Sequence, residues 1–164
     1  MCIRDSYFYF DSKYAVLAHI VGEAAHELEE LTHSFAPRGP EETPTAFADR
    51  MVRSAAAVYA HNDPVMSACN AARHTDAEIR EILDAYNESV VDQIVPIVEA
   101  EIRNRTASPI SDDIRGLVRT LAATTAFTLS GDSAFVGPDR KMDEAVLILE
   151  KLWLHALWGG QVGE

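Results

Sequence analysis

The sequence predicts an all-α fold of six helices, on three observations. Apolar residues recur at helical spacing along almost the whole chain. No window sustains the alternation of a strand, and no Asn-Gly or Asp-Gly hairpin signal occurs. Breaks rich in Pro and Gly divide the periodic runs into segments of helix length. With 164 residues and 48% hydrophobic side chains, the chain has room for one domain with a sizeable core.

The first helix is expected over residues 12–34, where Leu17, Ile20, Val21, Ala24, Leu28 and Leu31 form one apolar stripe. Pro37-Arg38-Gly39-Pro40 stops it. Thr43-Pro44, a capping residue followed by proline at the first helical position, opens a second helix that runs to about Tyr59. Asp63-Pro64 repeats the device and opens a short helix to about Arg73. Thr75-Asp76-Ala77-Glu78 reads as a capping box, Thr75 with Glu78 three residues on, and starts the longest helix, residues 76–105. Pro96 lies inside it and should bend it. A fifth helix is expected over 111–130, stopped by Gly131, and a sixth from Pro138 to Gly159-Gly160.

Charge and cysteine content narrow the function classes. Lys and Arg total 14 against 26 Asp and Glu, a net charge of −12. Gripping a phosphate backbone takes clustered cations, and the densest basic run here is only Arg103-Asn104-Arg105. Cys2 and Cys69 make no disulfide framework, so a reduced, cytoplasmic protein is expected. No apolar run approaches the ~20 residues of a membrane span, and no secretory leader is read. Met1-Cys2-Ile3-Arg4-Asp5-Ser6 joins abruptly to Tyr7-Phe8-Tyr9-Phe10 and reads like translated adapter sequence at the end of an assembled metagenomic gene. Residues 1–6 are therefore expected to be foreign, Met1–Asp5 most clearly, and the chain to be a piece lacking its natural start.

Tyr7-Phe8-Tyr9-Phe10-Asp11-Ser12-Lys13, followed by Tyr14 and the apolar run Ala15-Val16-Leu17, resembles the TetR family of one-component transcriptional regulators. In that family such a segment ends the helix-turn-helix and enters the next helix. The later helix order also resembles the family, and most of all its ethionamide-resistance branch from mycobacteria. Ala71-Ala72-Arg73, Glu99-Ala100-Glu101, Ser130-Gly131-Asp132 and Trp153 with Trp158-Gly159 agree with that branch in register.

The resemblance implies that residues 7–13 end a DNA-binding domain whose remainder lies upstream. Residues 14–160 would then be the effector-binding and dimerisation domain, with 161–164 a tail. It implies phosphate contacts from Tyr7 or Tyr9 and from Lys13, with operator DNA bound only by the full-length protein. It also implies a repressor released by a small apolar effector held in a tunnel. By register the lining falls on Phe47, Met51, Val52, Ala55 and Tyr59, then on Leu83, Tyr86, Asn87, Val90 and Ile94, then on Leu121, Thr125 and Trp153. Ala48, Ala55, Leu83 and Val90 stand where the branch carries aromatics, so the tunnel should differ in shape. The branch's ligand-anchoring amide falls on Val118 or Leu121, leaving Asn87, Thr124 and Thr125 as polar anchors. Homodimerisation is expected through the last two helices, with Val146, Leu147, Glu150, Leu154, Leu157 and Trp158 as the partner face.

The rival reading is a metal-binding helical bundle or enzyme. Glu23-x-x-His26 and Glu30-x-x-His33, with His19 in the same stripe, carry the carboxylate di-iron ligand pattern. A di-iron site takes such motifs from two helices, and here both sit on one helix, opposite its apolar stripe. No Gly-x-Ser-x-Gly, P-loop, Gly-x-Gly-x-x-Gly or Cys-x-x-Cys occurs, and Cys69 reads as a small buried hydrophobe. No enzyme, metal site or cofactor is expected.

Overall fold

The computed structural model describes residues 36–61, 63–139 and 141–159, together with His19, Ile20, Gly22, Glu23 and His26, which are helical. All regular structure among the described residues is helical: α1 (Pro44–His61), α2 (Asp63–Ala72), α3 (Ala77–Arg103), α4 (Ile114–Leu129), the single turn α5 (Ser133–Val136) and α6 (Met142–Trp158). The all-α expectation holds. Most of the expected 12–34 helix lies outside the described residues.

Two helix pairs make the body. α3 lies along α4, α1 lies along α6, and the pairs meet where α4 contacts both α6 and α1. Phe47 and Val52 of α1, Val91 and Val98 of α3, Val118 of α4 and Leu157 of α6 are all but sealed from solvent. Burying each such side chain is worth ~1.5–3 kcal/mol. Phe47 meets Trp158 edge-on, ring centroids 5.8 Å apart, which fixes the start of α1 against the end of α6. α2 and the start of α3 close a smaller cluster around Cys69 and Ile79.

The caps follow the sequence with one shift. Thr43 Oγ1 accepts the Ala46 amide at 3.1 Å, as its place before Pro44 implies. α3 is capped by Asp76, not Thr75: the Asp76 carboxylate accepts the amides of Glu78 at 2.9 Å and Ile79 at 3.1 Å. A carboxylate that serves two backbone donors displaces a hydroxyl that serves one. Thr75 Oγ1 instead donates to Ala72 O. α3 continues unbroken through Pro96, whose side chain faces solvent.

The last helix begins at Met142, not Pro138. Asp132 caps the short turn α5, and Gly137, at φ 71°, ends it in a left-handed conformation that other residues resist. Pro138 lies in the connection that follows. Asp143 and Glu144 in the first turn of α6 suit the positive end of the helix dipole.

The expected partner face on α6 is corrected by burial. Val146, Leu154, Leu157 and Trp158 pack into the protomer's own core, with Leu157 at 0% exposure and Trp158 at 4%. Glu150 turns inward beside them because Arg53 of α1 meets its carboxylate at 3.1 Å. Of that set only Leu147 is exposed. The apolar residues that α6 presents to solvent are Leu147 (48%), Ile148 (65%) and Leu152 (41%).

Candidate functional site

A cavity lies where α1, α3, α4 and α6 converge. α1 contributes Met51, Val52, Ala55 and Tyr59, and α3 contributes Tyr86, Asn87, Val90 and Ile94. Ala122, Thr125 and Ala126 of α4 and Trp153 of α6 close it. Spacings of three and four residues put each helix's contribution on one face. The structure thus brings together ten of the thirteen side chains expected to line a tunnel. The other three lie elsewhere. Phe47 is spent against Trp158, Leu121 is buried in the core, and Leu83 lines a neighbouring cavity. Ala122 and Ala126 were missed because an alanine on a helix gives no pattern that separates a cavity wall from packing.

The cavity is narrow. Its free volume is about 50 Å³. That is room for a few waters, since one needs roughly 10–15 Å³ by this measure. An organic ligand would have to widen it.

The polar groups divide into used and unused. Trp153 Nε1 donates to Thr125 Oγ1 at 2.9 Å, and Thr125 Oγ1 donates to Leu121 O at 2.9 Å. Thr124 Oγ1 donates to Thr120 O. Both threonines are thus already satisfied inside α4. The Tyr59 and Tyr86 hydroxyls and the Asn87 amide hydrogen-bond to no described residue. Burial drives the acidity of both phenols far below its ordinary strength, so they stay neutral donors at any working pH.

A buried ion pair ties the end of α3 to the segment ahead of α1. Arg38, ahead of α1, gives Glu101 at the end of α3 two hydrogen bonds, Nε to Oε1 at 3.1 Å and Nη2 to Oε2 at 2.8 Å. Thr106 Oγ1 donates to the same carboxylate at 2.7 Å. Burial alone would raise the Glu101 carboxyl, but Arg38 and Thr106 together hold it below its usual range. Sequence reading noted Glu101 only as part of an acidic triplet. Its partner lies 63 residues away, a distance no local pattern spans.

Tyr7, Tyr9 and Lys13 lie outside the described residues, as do Glu30 and His33. His19 Nε2 and Glu23 Oε1 stand 3.7 Å apart on an exposed helix face. Among the described residues no three His, Cys, Asp or Glu side chains are placed to share a metal ion. Burial pushes the Cys69 thiol up to about 11, which leaves it a poor nucleophile. Among the described residues no helix is long and apolar enough to cross a membrane.

An apolar cavity with a few polar groups on its wall, set among packed helices, is a place where a small molecule can be held. The sequence matches the family described as transcriptional regulator EthR, C-terminal domain, over residues 48–159, and the chain belongs to that family of TetR-type regulators. No curated protein matches the chain significantly.

Proposed function

We propose that residues 14–160 are the effector-binding and dimerising part of a ligand-responsive TetR-family repressor, released from its operator when a small apolar molecule enters the α1–α3–α4–α6 cavity. The observation that carries this reading is an apolar cavity with three unused polar groups, Tyr59, Tyr86 and Asn87, on its wall. DNA contact then belongs to a helix-turn-helix upstream of Tyr7, with Tyr7, Tyr9 and Lys13 at its phosphate-contacting end.

The mechanism follows from the narrowness of the cavity. A ligand that enters must part α1 from α3 and α4, and it stabilises whichever arrangement leaves more room. It can shift that equilibrium only by its differential affinity for the two arrangements. Arg38 ties the segment before α1 to the end of α3, so movement of α1 is passed to the chain that precedes it. In a dimer, such movement on both sides would change the spacing of two recognition helices. Leu147, Ile148 and Leu152 of α6 are the apolar surface offered to the second copy.

N-phenyl-1-naphthylamine, a neutral dye that fluoresces in apolar surroundings, tests the cavity. Saturable binding of one dye per protomer is expected, lost when Ala55→Trp or, from the facing wall, Val90→Trp fills the space. Dye binding that survives both plugs in folded protein, or no saturable binding at all, overturns the assignment.

A further inference from the structure

A second cavity adjoins the first. It is lined by Met66, Asn70 and Arg73 from α2 and its end, Leu83 and Asp84 from α3, and Ala123, Phe127 and Ser130 from α4 and its end. Tyr59, Tyr86, Asn87 and Ala126 belong to both cavities, so these four side chains are the partition. The chambers differ in chemistry. The first is apolar apart from the partition groups and the spent Thr125–Trp153 pair. The second carries Asn70, Arg73, Asp84 and Ser130, and its free volume is about 70 Å³.

We propose that the two chambers form one site for a long-chain amphiphile with an uncharged, hydrogen-bonding head, such as an alcohol or a primary amide. Its chain lies along Met51, Val90 and Ile94, and its head passes the partition into the second chamber. This inference rests on the effector-cavity reading above and names the class of ligand.

Three observations carry it. First, three of the four partition side chains carry polar groups that bond no described residue: two phenols and an amide. Such groups lose little by turning aside, and each can then bond a passing head group. Second, the second chamber's one cation is already occupied. Arg73 pairs with Asp84 and lies over the Phe127 ring, 5.1 Å from its centroid. The Asn70 amide donates to Asp132 at 3.3 Å, which sets a second carboxylate at that side. An anionic head would have to displace Asp84 and approach Asp132, in a chain of net charge −12. A cationic head would meet Arg73. A neutral head that donates and accepts meets neither penalty. Third, the Arg73–Asp84 pair on the wall is weak. The Arg73 and Asp84 side chains are 27% and 54% exposed, and an ion pair so hydrated contributes little to keeping that wall in place when a head group enters.

Displacement of the naphthylamine dye by straight-chain alcohols measures both parts of the claim. If both chambers are used, affinity rises about fourfold per methylene from hexan-1-ol through dodecan-1-ol. At equal length, dodecan-1-ol should bind at least tenfold more tightly than dodecanoate or dodecyltrimethylammonium. Ala123→Trp, which fills only the second chamber, should cut the preference for dodecan-1-ol over hexan-1-ol at least tenfold. A plateau at hexan-1-ol confines the ligand to the first chamber and overturns the proposal while leaving the effector cavity intact. So does a carboxylate that binds as tightly as the alcohol. If no alcohol displaces the dye, or the dye itself does not bind, the effector-cavity reading fails first.

Discussion

Replacing Thr125 by Val probes the side-chain hydrogen bond that joins α6 to α4 at the cavity wall. The exchange keeps the shape and the β-branch and trades a hydroxyl for a methyl. Helix propensity barely changes, since Thr and Val rank together. Leu121 O keeps its backbone partner, so losing the Thr125 donor costs little there. The expense falls on Trp153, 3% exposed, whose Nε1 has Thr125 as its acceptor at 2.9 Å. A buried donor left without an acceptor costs about 1–3 kcal/mol. Burial of the new methyl returns about 0.8 kcal/mol. The net loss is about 0.2–2 kcal/mol, and at about 2–4 °C per kcal/mol the melting temperature falls by up to about 8 °C. The assay is thermal unfolding at one fixed protein concentration, because association with a second copy would shift the midpoint. A cycle with Trp153→Phe isolates the bond, since Phe has no N–H to orphan. Thr125→Val should then cost far less in the Phe background. A coupling below about 0.3 kcal/mol, within ordinary additivity, would refute the reasoning.

Four further outcomes follow from the same geometry. Glu101→Gln should destabilise by about 2–3 kcal/mol in urea unfolding, because it leaves Arg38, with a side chain 14% exposed, facing a neutral partner; the figure is set below the full cost of breaking a buried pair because some water reaches it. Arg119 and Arg115 hold the Glu88 carboxyl down to about 2, so its contribution to stability is complete above pH 4.5 and fades as pH falls towards 2; the acid limb of a melting-temperature profile should flatten in Glu88→Gln. If a second copy docks on α6 as proposed, Ile148→Glu with Leu152→Glu should turn that dimer into monomer in sedimentation, since neither residue serves the protomer's core. Gly159→Ala should cost about 1–2 kcal/mol, because Gly159 sits at φ 64° and a Cβ there would come within 3.0 Å of Ser108 O.

The helices were legible because each is written in local chemistry. Thr43-Pro44, the Asp76 region and Gly131 mark ends within a turn of where they fall. The last helix was misplaced because Pro138 imitates a helix start, while the true start at Met142 has no side-chain cap to announce it. The cavity wall could be placed by register through the family resemblance, and the residues so placed on α1 and α3 fall on one face of each helix. Periodicity alone would not separate them from Phe47 or Leu121, which share the same apolar stripes and are spent in packing. The partner face was misread for a related reason. Glu150 looks too costly for a core, yet Arg53 of α1 lies against it. Burial lifts the Glu150 carboxyl, Arg53 works against that shift, and neighbouring Asp49 reinforces it. Charge compensation between distant helices leaves no mark on either helix's own sequence. The Arg38–Glu101 pair escaped notice in the same way.

The two indole N–H groups allow the most direct test. Trp153 Nε1 is bonded at the cavity wall, whereas Trp158 Nε1 is buried outside it, beside Glu101. In a ¹⁵N correlation spectrum of the protein titrated with N-phenyl-1-naphthylamine, the Trp153 indole signal should move saturably, with the dissociation constant read from dye fluorescence. The Trp158 signal should shift far less. Dye binding that leaves the Trp153 signal in place, or moves only that of Trp158, would contradict an effector cavity between α1, α3, α4 and α6.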